Sequence, residues 1–192
     1  MPRKHRRDVA GAISHVDARG VNGCSVFRSR LDRIDFLSLL ADVCTRFEWR
    51  VYSYCLMGNH YHLVVRTLWP NLAAGVQRLN GIHAQRFNGR HGRTGHLFGG
   101  RYNSKPVHDE PHLLSAVRYD VLNPVRAGLC RRAADWEWSS YRATANGAAS
   151  QVLALDELLP LFGPDVRSAR RRYRELVAAE AESLQPVELV AA

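Results

Sequence analysis

The sequence predicts an α+β fold. It reads as a ferredoxin-like sandwich, a central antiparallel sheet with helices on one face, carrying a C-terminal helical extension. Three observations lead there. Apolar patterns recur in the order β-α-β-β-α-β and then turn helical. The two middle strands are separated by a two-residue turn, which forces them antiparallel. The chain has 192 residues, 46% hydrophobic and 23% charged, enough for one sizeable domain plus an extension.

The elements follow in order. "AISHVD", Ala12 to Asp17, is a first strand ended by Arg19-Gly20. "DRIDFLSLLADVCTRF", Asp32 to Phe47, is a helix whose stripe is Ile34, Leu37, Leu40, Cys44 and Phe47, at spacings of three and four. "RVYSYCLM", Arg50 to Met57, is rich in β-branched and aromatic residues and reads as a strand. Gly58-Asn59 suits a tight hairpin turn because both residues tolerate positive φ. "HYHLVVR" then returns as the paired strand. Asn71 is placed to cap a helix running to about Phe87. "NGRHGRTGHLFGGRYNSKPV", Asn88 to Val107, is glycine-rich and basic, a loop and a short hairpin. Glu110-Pro111 opens another helix, which Pro124 is expected to end. "DWEWSSYRA" is an aromatic connector. "LDELLPLF" and "DVRSARRRYRELVAAE" are two C-terminal helices, the second with Val166, Ala169, Tyr173 and Leu176 on one side. The expected division is a domain over 1–148, a helical extension over 149–182 and a flexible tail over 183–192. The extension is expected to be accessory, so that a truncation before Val152 still folds.

Charge narrows the function. The formal net charge is +9 and the pI about 9.9, which points to a polyanionic partner. Its placement is sharper than its sum. No Asp or Glu lies between Glu48 and Asp109, an interval that holds Arg50, Arg66, Arg78, Arg86, Arg90, Arg93, Arg101 and Lys105. A merely solvated surface mixes both signs. Cys24, Cys44, Cys55 and Cys130 form no CxxC and no zinc-finger spacing, so they read as reduced thiols. No apolar run is long enough for a membrane span, and the expected location is the cytoplasm, in association with the nucleoid.

Inside the acid-free block stands "GNHYHLVV", Gly58 to Val65. On a strand His60 and His62 share one face, about 6.6 Å apart. A single strand histidine is most simply a hydrogen-bonded core residue. Two on one face need two sets of partners, or a divalent cation between them. HxH supplies only two ligands, and the acid-free block offers no carboxylate. The helix "LLSAVRYDVLNPVRAGL" offers Tyr119 and Asn123 at i and i+4, neighbours on one face. Asn123 has a carbonyl oxygen suited to a hard cation and Tyr119 a phenol able to act as a nucleophile. By spacing alone, Tyr119 packing on the core explains the pattern equally well.

Four segments in order, "YCLMGNHYHLVV", "GHLFGGRYNSKPV", "RYDVLNPVRAGL" and "DWEWSSYRA", resemble the single-tyrosine HUH transposases of the IS200-like group, and within them the REP-associated tyrosine transposases. The resemblance implies a metal-dependent endonuclease and strand transferase acting on single-stranded DNA beside a REP-like hairpin, through a covalent 5′-phosphotyrosine. Carried across, His60, His62 and Asn123 are metal ligands for Mg²⁺ or Mn²⁺, and Tyr119 is the nucleophile. The residues expected to contact DNA are Arg90, Arg93, His96, Arg101, Asn103 and Lys105. The expected state is a monomer, with a homodimer as the alternative. Two departures stand out: Gly58 where the family usually has proline, and Tyr61, larger than the usual aliphatic residue between the histidines. The competing reading is a regulatory protein that keeps the fold and binds hairpin DNA without cutting it.

Overall fold

The computed structural model describes residues 8–184. Most of the basic N-terminal stretch and of the expected tail lies outside them. The sheet holds β1 (Ile13–Arg19), β2 (Trp49–Leu56), β3 (His60–Thr67) and β4 (Asn103–Val107). Its order is β2-β3-β1-β4, and every pairing is antiparallel. The ferredoxin-like order is thus as expected. Helices α1 (Arg30–Phe47) and α2 (Leu72–His91) link the strands and cover one face. Helix α3 (Glu110–Arg126) lies against the other face. The remaining helices, α4 (Tyr141–Asn146), α5 (Leu155–Leu158) and α6 (Val166–Leu184), pack around α3.

Two cores result. The first joins Val16, Val51, Leu56, Tyr61, Leu63 and Val65 of the sheet to Phe36, Leu40 and Val43 of α1 and to Val76 and Leu79 of α2. The second joins Tyr52 and Val64 to Val117, Val121 and Leu122 of α3 and to Leu158, Phe162, Ala169, Tyr173 and Val177 of the extension. The extension therefore shares the second core, burying apolar area that α3 and the sheet leave uncovered.

Several local expectations change. The buried stripe of α1 is Phe36, Leu39, Leu40 and Val43, while Ile34 is 46% exposed. Ser29 caps this helix reciprocally with Asp32, so the helix starts two residues earlier and Asp32 turns inward. Asn71 sits at the start of α2 but spends its side chain elsewhere, accepting from Trp49 Nε1 at 2.9 Å and donating to the Phe47 carbonyl at 2.8 Å. That helix runs on to His91 and ends on Gly92 at φ 60. Pro124 does not end α3; it lies inside the last turn, which continues to Arg126. The predicted hairpin within Asn88–Val107 is instead a loop leading into β4. Its Phe98 bridges Gly20, and Val21 donates to the Leu97 carbonyl at 2.9 Å.

The Gly58-Asn59 turn is present, closed by Met57 N–H donating to the His60 carbonyl at 2.9 Å. Neither turn residue adopts positive φ, so the reason given for them does not hold. The turn is held from outside. The Gly58 carbonyl accepts from Val26 and Phe27, and the Asn59 carbonyl from Gly20.

Both sheet edges are treated differently. The β2 edge is covered by the aromatic connector, with Leu56 donating to the Trp138 carbonyl and Ser140 to the Tyr54 carbonyl. Among the described residues no strand pairs with the outer edge of β4, which carries Lys105 and Pro106, two residues that discourage further pairing. All four cysteines are free, and Cys55 alone among them is fully buried.

Candidate active site

Side chains alternate along a strand, so the face of β3 opposite Tyr61, Leu63 and Val65 carries His60, His62 and Val64. The β1–β3 register places Asp17 beside His62 and His15 beside Val64 on that same face. The β1–β4 register adds Asn103 beside Asp17 and Lys105 beside His15. Helix α3 crosses above. Its buried positions Leu113, Ala116, Val117, Asp120, Val121 and Pro124 turn Tyr119 and Asn123 along the adjoining flank.

These residues meet in an open cleft of about 550 Å³, lined by Asp17, Arg19, Met57, His60, His62, Asn103, Tyr119, Asn123, Arg126 and Ala127. The ring centroids of His60 and His62 are 4.9 Å apart and those of His62 and Tyr119 5.7 Å. Tyr119 remains 40% exposed, its ring open to the cleft. The structure thus brings His60, His62, Tyr119 and Asn123 to one cleft within one chain.

Two residues that sequence reasoning missed lie behind it. His15 stacks on His62 at 5.4 Å and meets Tyr119 edge-on at 5.7 Å. Asp120, with no exposure, places Oδ1 2.8 Å from His15 Nε2. The two form an ion pair when the His15 ring is protonated. The other carboxylate oxygen accepts from the Ser53 hydroxyl at 2.6 Å. The signals were readable: His15 alternates with Asp17 on β1, and Asp120 occupies a core position of an amphipathic helix. The acid-free block also does not make an acid-free site, because Asp17 and Asp120 arrive from neighbouring elements.

Electrostatics keep the histidine pair neutral. Burial, the neighbouring His62 and Arg19 push His60 down to about 4. Burial likewise lowers His62, against the pull of Asp120. Burial also works to lower His15, but the Asp120 carboxylate overrides it and leaves its pKa raised. His60 Nδ1 lies 2.6 Å from Asn59 Oδ1. In that arrangement Nδ1 carries the proton and Nε2 keeps its lone pair for a ligand. His62 Nδ1 is buried with no hydrogen-bond partner among the described residues, a nitrogen of the kind a cation satisfies. The donor set fits a divalent metal in two overlapping ways. His60, His62 and Asn123 line the cleft. His15, His62 and Asp120 place ligand atoms within 4.8 Å of one another. The second set has its carboxylate already engaged by Ser53 and His15.

The expected DNA contacts divide. Asn103 lines the cleft and donates to Asp17 at 2.9 Å. Lys105 is exposed on the same face, next to His15. Arg101 is exposed just before β4. His96 lies on a second hollow with Leu97, Phe98, Asn80 and Ala84. Arg93 reaches Cys24 Sγ at 3.5 Å and lies over Phe87. Arg90 is not at the cleft; it pairs with Asp32 and Asp35 of α1.

An α+β sandwich whose sheet presents two neutral histidines to a helix-borne tyrosine is a distinctive class of site. Residues 19–119, from the end of β1 to the tyrosine itself, match the model of the family described as "Transposase IS200 like". The chain belongs to the IS200-like transposase family. Its fold is similar to that of a solved REP-associated tyrosine transposase bound to a REP hairpin, at a TM-score of 0.61 and 17% identity, covering 80% of this chain and 92% of that one. A putative transposase from Deinococcus radiodurans R1 aligns at a TM-score of 0.43 and 17% identity, over 63% of this chain and 96% of that one. Comparison with curated proteins finds no match.

Proposed function

We propose that this protein cuts and rejoins single-stranded DNA beside a REP-like hairpin, with Tyr119 as nucleophile, His60, His62 and Asn123 as metal ligands, and the tyrosine and histidines contributed by the same chain. The observation that carries this reading is their convergence on one cleft, with Tyr119 5.7 Å from His62, in a member of a transposase family. The hairpin substrate is drawn from the similarly folded structure that is bound to one.

The chemistry follows from the residues. Tyr119 Oη attacks the phosphorus and loses its proton. The bond from phosphorus to the 3′ oxygen breaks, and that oxygen takes up a proton to leave as a 3′-OH. The 5′ phosphate remains on the tyrosine, so the diester energy is kept and a later 3′-OH reverses the step. His60 and His62, held neutral, present lone pairs instead of repelling a cation. Mg²⁺ or Mn²⁺ bound there supplies Lewis-acid polarisation of the scissile phosphate. Arg19 at the rim and Arg101 and Lys105 beyond it draw in the backbone of the strand.

The test is incubation with a hairpin oligonucleotide carrying a single-stranded flank and Mn²⁺. A slow-migrating protein–DNA band on a denaturing gel is expected from the wild type and not from Tyr119→Phe. Cleavage that persists in Tyr119→Phe overturns the assignment. Hairpin binding with no adduct from the wild type favours the regulatory reading. Mixing Tyr119→Phe with His62→Ala tests the monomer: restored cleavage would reveal a shared site.

A further inference from the structure

We propose that Arg126 is a positioning residue for Tyr119 and is itself fixed in place by Glu180 of the C-terminal helix. The inference rests on the reading of Tyr119 as nucleophile. Arg126 follows Tyr119 by seven residues, two helical turns along the same face of α3. Its Nη1 donates to the Tyr119 carbonyl at 3.0 Å, and its guanidinium carbon lies 4.5 Å from the centre of the Tyr119 ring. Nη2 pairs with Glu180, which also pairs with Arg118 one residue before the tyrosine. The Arg126 and Glu180 side chains are only 24% and 22% exposed, so water screens this contact less than a surface pair.

The geometry gives the guanidinium a definite task. Arg is a long side chain with many rotamers. Here one end is bonded to backbone, its guanidinium carbon lies over the phenol and its far nitrogen is held by a carboxylate. The rings of His15 and His62 also meet Tyr119 edge-on, at 5.7 Å each. The partly exposed Tyr119 ring is therefore held by a cation over its face and two imidazoles packed beside it. Removing the cation frees the ring to sample other rotamers, and a nucleophile displaced by about 1 Å loses about a hundredfold in rate. Lysine cannot replace Arg126, because a point charge on a flexible stem cannot bond the carbonyl, cover the ring and meet Glu180 together. Without Glu180, Arg118 and Arg126 face each other unneutralised and Arg126 swings out.

Single-turnover adduct formation at saturating hairpin DNA, with hairpin affinity measured alongside, tests this. Arg126→Ala is expected to slow the adduct by about tenfold or more, with affinity and unfolding temperature little changed. Arg126→Lys should recover little of the rate. Glu180→Gln should slow it less, and adding Glu180→Gln to Arg126→Ala should cost nothing further, because both act through one contact. A wild-type rate in Arg126→Ala, full recovery with lysine, or effects that multiply would overturn the proposal. A second readout needs no DNA. In protein with ¹³C-labelled tyrosine rings, the signal assigned by Tyr119→Phe should move in both Arg126→Ala and Glu180→Gln. A signal unmoved in either overturns the grip whatever the adduct shows. A moved signal with no adduct from the wild type leaves the grip standing and refutes the nucleophile.

Discussion

Replacing Asp120 by Asn probes how α3 is held over the sheet. The volume is kept and the charge is removed. In the native protein this fully buried carboxylate accepts from Ser53 at 2.6 Å and faces His15 Nε2 at 2.8 Å. The Asn oxygen can still accept from Ser53, but a neutral acceptor is weaker by about 1 kcal/mol. The amide nitrogen then faces His15, whose side chain is 16% exposed. Breaking a buried pair from one side costs about 3–5 kcal/mol, and His15 is shallow enough to take the lower end. The sum is a loss of about 3–4 kcal/mol. At about 2–4 °C per kcal/mol for a domain of this size, the midpoint should fall by roughly 6–16 °C. The pH dependence has a definite sign. The native pKa of His15 is raised, so its contribution is fully present below the unfolded value near 6.5 and is lost as pH rises through the native one. Urea unfolding followed by circular dichroism at pH 6 and pH 9 should therefore show the larger difference between wild type and Asp120→Asn at pH 6. A loss under about 0.5 kcal/mol, the scale of ordinary surface substitutions, or a difference that grows with pH, would refute the reasoning.

The histidine pair should make the protein acid-labile in a separate window. His60 is pushed down to about 4 and His62 is also lowered, so the unfolded state takes up protons first and stability should fall from pH 6.5 toward pH 4. A His60→Gln/His62→Gln variant should flatten that slope in urea midpoints. Truncation before Val152 should abolish cooperative unfolding, because it strips Leu158, Phe162, Tyr173 and Val177 from Tyr52, Val64 and Leu122; a fragment with a sharp calorimetric transition would count against this. Neutralising Lys105 or Arg101 should lower the slope of log K against log salt by about 0.7 for each phosphate contact on single strands, whereas Arg90, already paired with two aspartates, should leave the slope unchanged.

What the sequence revealed follows periodicity. A repeat of two put His60 and His62 on one face without any knowledge of the sheet, and a repeat of 3.6 put Tyr119 beside Asn123. Both relations are local and both appear in the structure. His15 and Asp120 reach the cleft through strand register and helix docking, which are set by partners far along the chain. Asp120 follows Tyr119 directly, and the rotation of about 100° between neighbouring helix positions is what turns it into the sheet. Ile34 was read into the α1 stripe because its spacing fits as well as that of Phe36. The choice was made by Asp32, whose inward cap takes the neighbouring position. Pro124 misled in a similar way: in the final turn its missing N–H costs one hydrogen bond, and the packed face of α3 carries the helix past it.

One residue in β2 separates the two halves of the molecule. Val51 pairs with Val65 and Ser53 with Val64, so Tyr52 is a bulge, an extra residue with no partner opposite. Its hydroxyl donates to Glu157 at 2.8 Å, and Glu157 also holds Arg50 at 2.7 Å. Excising Tyr52 would leave Val51, Ser53, Tyr54, Cys55 and Leu56 on the faces they now occupy, with His62 still opposite Cys55. Tyr52 thus adds an anchor for the helical cover without shifting the register of the strands that carry the histidines.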